Sequence, residues 1–221
     1  MLFSRTQAMG GGFEINTAPQ LAPLPDGRLV VVDQSDFELV LLETRPGIPP
    51  AGGGDVNGGG TSDYVTGVAL LANGSLLVLE SSESNSTRLR VWDDYADAAP
   101  VAFDATLSTS PGSGPTQLMH PTRVAVDPVD GRVYVSDTLN DRLARWEADG
   151  SGRLYYGASG SGVGQFSQPV LLAVLPDRRI SVMDVNNNRL VSIDSFESGD
   201  SSWQEYTDAV PFSFGYYYNF S

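Results

Sequence analysis

The sequence predicts an all-β fold made of repeated sheets. Glycine and proline account for 38 of the 221 residues, whereas charged residues make up only 18%, a balance typical of short strands joined by turns. One pattern occurs four times, namely an apolar stretch with an alanine, a tight turn, a second apolar stretch and a closing acid. The four copies are residues 21–33, 68–80, 124–137 and 172–184. No window shows the sustained 3.6-residue apolar periodicity of a helix.

The spacing of the copies predicts a β-propeller. The alanines at positions 22, 69, 125 and 173 are 47, 56 and 48 residues apart, which is the length of a four-stranded blade. Three of the turns contain Asp-Gly or Asn-Gly, pairs that favour tight hairpins. A hairpin cannot bury both of its faces alone, so such units must stack. We therefore predict a single domain over 1–221 with about four blades, near residues 18–44, 65–94, 120–150 and 168–195, to which the termini could add a partial fifth.

Two residue types recur at fixed places in the repeat. An alanine is expected in the first strand because the blades converge on a crowded central channel. An acid closes each second strand, at Asp33, Glu80, Asp137 and Asp184. These carboxylates are predicted to accept hydrogen bonds from the backbone of the turn that follows. Their repeated position favours this structural role over a catalytic or metal-binding ring.

The third and fourth copies resemble the NHL repeat. The third copy begins His120-Pro121, and both copies contain the segment D-x-x-N-x-R-[LV], as 137–143 and 184–190. The first two copies lack this segment. The resemblance implies a propeller, and NHL propellers more often have six blades. The four copies found here are therefore interpreted as a compact four-bladed ring, as a ring with a diverged fifth blade, or as part of a longer chain.

Two Gly/Pro-rich segments, 45–63 and 95–119, are predicted as insertions between blades. In the first segment, Asp55, Asn57 and Asp63 lie among glycines in a pattern similar to a calcium loop, but the closing bidentate acid is missing. No cofactor is predicted, and calcium remains an alternative.

The C-terminal segment 211–221 is densely aromatic. Its rings would bury a large apolar area if covered, so we expect them to close the propeller or to pack on a second copy of the chain. The residues assigned to this assembly role are Phe212, Phe214, Tyr216, Tyr217, Tyr218 and Phe220.

Composition limits the function classes. The net charge of -14 opposes contact with phosphate backbones, so no nucleic-acid partner is expected. The apolar runs are too short to span a bilayer, so no membrane insertion is expected. There is no cysteine and one histidine, His120, so the several-histidine metal site of the amidating lyases that resemble NHL propellers cannot be assembled, and no Ser-His-Asp arrangement is identifiable. His120 is predicted to be a loop residue.

The chain is therefore predicted to be a non-enzymatic scaffold that binds proteins or glycans or assembles with copies of itself. Three Asn-x-Ser/Thr sequons, at Asn73, Asn85 and Asn219, favour a glycoprotein outside the cell or at its surface. Two alternatives remain open, a partner-binding propeller inside a cell and a calcium-dependent enzyme similar to lactonase propellers.

Overall fold

The computed structural model describes residues 21–24, 27, 29–33, 38–42, 63–82, 86–92 and 101–207. Within these ranges the chain forms β-strands and two short 3-10 turns, Thr138–Asn140 and Gly199–Ser202. None of the helices in this part of the chain has the length and apolar character needed to cross a membrane. The all-β prediction is confirmed.

The described strands form four antiparallel sheets, each of which is one blade. The first blade contains β1 (Leu21–Pro23), β2 (Leu29–Asp33) and β3 (Glu38–Leu42). The second contains β4 (Asp63–Leu70), β5 (Leu76–Ser82), β6 (Thr87–Trp92) and β7 (Val101–Ala102). The third contains β8 (Pro121–Val126), β9 (Val133–Asp137), β10 (Arg142–Trp146) and β11 (Leu154–Tyr156).

A short parallel pair separates the third blade from the fourth. It consists of β12 (Ala158–Ser159) and β13 (Gln165–Phe166). The fourth blade then contains β14 (Pro169–Val174), β15 (Ile180–Asp184), β16 (Arg189–Ile193) and β17 (Gln204–Tyr206). Each blade runs from its first strand to its last in sequence order.

The blades extend further along the chain than their predicted limits. The fourth strands β7, β11 and β17 all lie outside the limits predicted from the repeat. β7 lies within the segment 95–119 that the sequence predicted as an insertion, and it pairs with β6 through Val101 and Ala102. The fourth strands are short and mostly exposed, so their sequences lack the apolar pattern that marked the inner strands. Most of 45–63, the aromatic segment 211–221 and the termini proposed for a fifth blade are outside the described residues.

The hydrophobic core lies between the blades. One cluster joins the first blade to the second, another joins the second to the third, and another joins the third to the fourth. Strand β5 shows how this arises, because Leu76 and Val78 face the first blade whereas Leu77 and Leu79 face the third. A strand that alternates between two buried faces must be apolar at consecutive positions.

Asp137 lies at the centre of a buried hydrogen-bond network in the third blade, which we call the clasp. Its carboxylate accepts hydrogen bonds from the Met119 backbone N–H at 2.6 Å, from Asn140 Nδ2 at 2.9 Å and from Arg142 Nε at 2.7 Å. The Arg142 guanidinium in turn donates to backbone oxygens of the upstream glycine-rich loop, those of Ser113, Gly114 and Gln117. The D-x-x-N-x-R segment therefore fixes a loop that precedes its own blade.

The fourth blade repeats this clasp. Asp184 accepts from the Ser167 N–H at 2.7 Å, from Asn187 Nδ2 at 2.8 Å and from Arg189 Nε at 2.8 Å. Arg189 donates to the carbonyl oxygens of Ser161, Gly162 and Gln165. The prediction that these acids accept hydrogen bonds from the backbone of the following turn is wrong for Asp137 and Asp184. Both carboxylates accept the backbone N–H of a residue that precedes the first strand of the blade. Their structural role stands.

The two clasped loops share the sequence Gly-Ser-Gly-x-x-Gln, at 112–117 and 160–165. The Oε1 of Gln117 accepts the Gly114 N–H at 3.2 Å, and the Oε1 of Gln165 accepts the Gly162 N–H at 2.8 Å. A Cβ on the first glycine of either loop would come within 2.4 Å of that glutamine oxygen. A side chain at the first glycine would therefore displace the glutamine amide from this hydrogen bond.

Arg189→Met tests the clasp in the fourth blade. The Asp184 side chain is 0% exposed, so loss of the guanidinium leaves a buried carboxylate without its counter-ion. We expect a loss of about 3–5 kcal/mol in the free energy of unfolding, measured by urea denaturation. Arg179→Met is the control, because Arg179 and its partner Asp177 are both substantially exposed. Equal, small effects of the two substitutions would contradict a stabilising role for the clasp.

Glu80 occupies the equivalent position in the second blade and has a different environment. Burial raises its pKa to about 7, although the charge of Arg90, whose Nε lies 3.2 Å from a Glu80 carboxylate oxygen, opposes the shift. A carboxyl whose pKa is higher in the folded state binds a proton that the unfolded chain has released. Its contribution to stability is therefore present below about pH 4.5 and is lost as the pH rises to about 7.

Glu80→Gln should therefore stabilise the protein above pH 7 and change little near pH 4.5. The difference from the original chain should grow to at most about 3 kcal/mol across this window, at about 1.4 kcal/mol per pKa unit. Urea unfolding of both proteins at pH 4.5, 6 and 8 measures it. Stability curves that stay parallel over this range would show that Glu80 does not titrate there.

Candidate functional site

A cleft of about 550 Å³ lies between the third and fourth blades. The β9 strand of the third blade forms one wall, and the β14–β15 turn and the loop after β16 form the other. We call this space the blade 3–4 cleft. The lining residues are Arg132, Tyr134, Asp177, Arg178, Arg179, Asp194, Ser195 and Glu197.

The cleft lies beside a cross-strand pair that is apolar in the second blade and polar in the third. In the second blade this pair is Leu77 opposite Val91, and it belongs to the apolar junction with the third blade. In the third blade the equivalent pair is Tyr134 opposite Arg145. A phenol and a guanidinium thus replace two aliphatic side chains on the face toward the next blade.

Arg145 is 3% exposed and contacts the loop that follows β16. Its guanidinium forms an ion pair with Glu197 and lies 3.2 Å from Glu147, also within the third blade. Its Cζ lies 5.8 Å from the ring centroid of Phe196, and the Tyr134 ring meets the same Phe196 ring edge-on at 5.5 Å. Phe196 and Glu197 therefore fasten the fourth blade to the polar pair.

Two of the three cleft arginines are held by the fold. Arg178 bridges to the third blade through Asp127, at 3.1 Å, and through Asp130. The Asp127 side chain is 0% exposed, so its charge depends on that bridge. Arg132 pairs with Glu147 at 3.0 Å and with Asp130 at 3.5 Å. The Arg178 ion pairs thus connect the fourth blade to the third, whereas those of Arg132 lie within the third blade.

Three other groups at the cleft can form further hydrogen bonds or ion pairs. Tyr134 is 3% exposed, and no group in the described part of the chain forms a hydrogen bond with its hydroxyl. Burial raises the pKa of that hydroxyl to about 12, so it is a neutral donor and acceptor at physiological pH. Asp194 is exposed, and its carboxylate has no hydrogen bond or ion pair to any described residue. Among the described residues, Arg179 forms an ion pair with Asp177 alone, two positions earlier in the same turn, at 2.8 Å.

The charges of this group act on one another. The pKa of Arg179 is raised, first by its hydrogen bond to Asp177 and in smaller part by the charge of Asp194. The cleft can therefore supply a cation, an anion and a neutral hydroxyl to a bound molecule. Such a set suits binding of a polar ligand and proton transfer at an oxygen.

The residues assigned from the sequence lie elsewhere. Asn73 is exposed in the β4–β5 turn, where its Oδ1 accepts the Ser75 N–H at 3.0 Å. His120 is half-buried directly before β8, and burial lowers its pKa. Asn85, Asn219 and the aromatic assembly residues are outside the described residues, as are Asp55 and Asn57, whereas Asp63 begins β4.

A metal site is not found in the part of the chain that the structure describes. There, no three His, Cys, Asp or Glu side chains are placed to hold one ion. Tyr134, Arg179 and Asp194 were not predicted as site residues from the sequence. The signal that could have identified Tyr134 is its position, because it replaces an apolar residue of the second copy when the repeats are aligned on their closing acids.

No known family profile matches the chain. In sequence, it is similar to the peptidyl-glycine alpha-amidating monooxygenase of Mus musculus and to its counterpart in Rattus norvegicus, 37% identical over 89 residues in each case. That segment is 38% of this chain, and it spans only 9% of the length of the relatives.

Solved structures share the fold at low identity. A streptogramin B lyase superposes with a TM-score of 0.59 at 13% identity, covering 90% of this chain and 57% of that protein. The calcium-binding protein regucalcin from Agrobacterium tumefaciens gives 0.54 at 13% identity, over 81% of this chain and 57% of the other. A chain in a nidogen–laminin complex gives 0.50 at 11% identity, over 85% and 59%. The chain is a β-propeller that spans less than two thirds of these proteins.

The comparisons correct one prediction. The chain was expected not to be an enzyme, yet the proteins that it resembles in sequence and in fold include a monooxygenase and a lyase. That expectation is wrong. It was based on the absence of two particular site types, a Ser-His-Asp triad and a several-histidine metal centre, and propellers support chemistry beyond those two.

Proposed function

We propose that this chain is the substrate-binding propeller of an enzyme and that its substrate, a small polar molecule, binds in the blade 3–4 cleft. The observation that carries the proposal is the Tyr134 hydroxyl. This hydroxyl belongs to a residue that lines the cleft, and no described residue forms a hydrogen bond with it, so it is available to a bound molecule. The second blade has Leu77 at the equivalent position.

The contrast between two adjacent junctions supports the same site. Both the junction of the second and third blades and that of the third and fourth contain an apolar cluster, but at the second of these junctions a polar cleft opens beside the cluster. Binding sites commonly lie at such junctions and combine an apolar wall with a few polar groups. The sequence match to an enzyme supports a catalytic setting.

The calcium-dependent alternative has weaker support. Regucalcin is described as a calcium-binding protein and shares the fold, but the described residues provide no acid cluster for an ion. The blade 3–4 cleft needs no metal, so it is the better-supported site.

Several narrower assignments remain proposals based on the sequence. Membership of the NHL family depends on the two copies of the D-x-x-N-x-R segment. Location outside the cell or at its surface, with glycans on Asn73, Asn85 and Asn219, depends on the sequons. A propeller chain in a nidogen–laminin complex is compatible with protein partners, and self-assembly through 211–221 would be a further property of the chain.

A fragment screen tests the site. A fluorinated set containing acids, amines, amides and neutral rings is screened against the chain by 19F NMR, and the hits are repeated on two variants. Ser195→Trp places an indole in the cleft lining, and Ser201→Trp places one on an exposed residue that does not line the cleft. We expect hits that Ser195→Trp abolishes and Ser201→Trp retains. No hits, or hits that survive Ser195→Trp unchanged, would refute the proposed site.

A further inference from the structure

The free bonding groups of the blade 3–4 cleft differ in charge, and this difference restricts the ligand. Asp194 is an anion without a partner in the described residues, and Tyr134 contributes an unpartnered hydroxyl. Arg179 is a cation whose one partner, Asp177, lies two residues away. The side chains of this ion pair are 39% and 54% exposed, so solvent screens their attraction.

Arg179 can therefore exchange its partner at low energetic cost, whereas the other cleft arginines cannot. Release of Arg178 would leave Asp127 buried without a counter-ion, and release of Arg132 would remove one of the two arginines that pair with each of Glu147 and Asp130. Glu197 is similarly committed to Arg145, whose hydrogen bond holds the pKa of Glu197 below its usual range. Among the charged residues that line the cleft, Arg179 and Asp194 are thus the pair available to a ligand.

A ligand with one charge would satisfy only part of this set. A carboxylate bound to Arg179 would also experience repulsion from Asp194 and Asp177, and an ammonium bound to Asp194 would experience repulsion from Arg179. A molecule that carries both charges satisfies Arg179 and Asp194 together and leaves the Tyr134 hydroxyl to donate to a carboxylate oxygen. The Phe196 and Tyr134 rings form an apolar edge nearby.

We infer that the blade 3–4 cleft binds an amphoteric molecule of amino-acid type, with its carboxylate on Arg179 and Tyr134 and its ammonium group on Asp194. This inference depends on the proposed function for the site and adds the substrate class. A volume of about 550 Å³ is large enough for a free amino acid or a very short peptide, since ligand pockets typically start near 300 Å³.

Three ligands with the same phenyl ring test the contributions of the ammonium and the carboxylate separately. L-phenylalanine carries both groups, phenethylamine carries only the ammonium, and 3-phenylpropanoate carries only the carboxylate. Isothermal titration at pH 7 should show phenylalanine binding at least about ten-fold more tightly than either single-charge ligand, which corresponds to about 1.4 kcal/mol. Equal affinity of phenylalanine and one of the single-charge ligands would overturn the inference.

Variants assign each charge to a residue. Asp194→Asn should reduce phenylalanine binding to the level of 3-phenylpropanoate, and Arg179→Gln should reduce it to the level of phenethylamine. Asp149→Asn is the matched control for the acid, since Asp149 is exposed and outside the cleft lining, and Arg179→Lys retains the charge. The melting temperature of each variant checks folding. An equal loss in Asp149→Asn and Asp194→Asn would also overturn the assignment.

The fragment screen distinguishes two kinds of failure. If other fragments bind in the cleft and none of the three phenyl ligands does, the amphoteric class is wrong and the site stands. If no fragment of any class binds in the cleft, the proposed function itself fails.

Discussion

The structure depends on one constraint, which is that no blade can bury its own two faces. Each sheet is covered by its neighbours, so the core is divided into clusters between blades. The middle strands must then be apolar on both sides, as Leu76 to Leu79 are in β5. Loops have to hold each sheet at a fixed angle to the next, because misplacing one blade exposes the faces of two.

The clasps supply that fixed placement in the second half of the chain. A buried Asp–Arg pair is costly to desolvate, and an apolar replacement is often as stable. Its value here is geometric, because each Arg reaches three carbonyl oxygens of a glycine-rich loop that precedes its own blade. Glu80 occupies the equivalent position in the second blade, which lacks the Asp–Asn–Arg network, and its pKa is raised by burial.

The sequence was sufficient for the fold because its signals are local. Alternation, Asp-Gly turns and closing acids lie within a dozen residues of one another, and they identified the four inner hairpins. The clasp was visible only in part, since Arg189 and its acceptors at 161–165 are separated by more than twenty residues. The segment 95–119 was predicted as an insertion for the same reason, because Arg142, which donates to the carbonyl groups of Ser113, Gly114 and Gln117, lies more than twenty residues further along the chain.

The candidate site could not be predicted from local sequence patterns. Tyr134 and Arg179 belong to different blades, and they line one cleft only after the blades stack. The prediction relied instead on histidine, and the presence of only one in the chain contributed to the wrong exclusion of enzymes. A residue that departs from the apolar pattern of its own repeat, as Tyr134 does beside Leu77, is a better guide in such proteins, because departures from local consistency concentrate at functional sites.

The central claim is that the polar pair of the third blade, Tyr134 and Arg145, serves ligand binding and is not needed for packing. The double variant Tyr134→Leu/Arg145→Val converts this pair to the residues of the second blade, and the acids it leaves, Glu147 and Glu197, are exposed enough to remain hydrated. Its free energy of unfolding, measured by urea denaturation, should equal or exceed that of the original chain, while ligand binding in the cleft is lost. A strongly destabilised variant that still binds ligand would contradict the account.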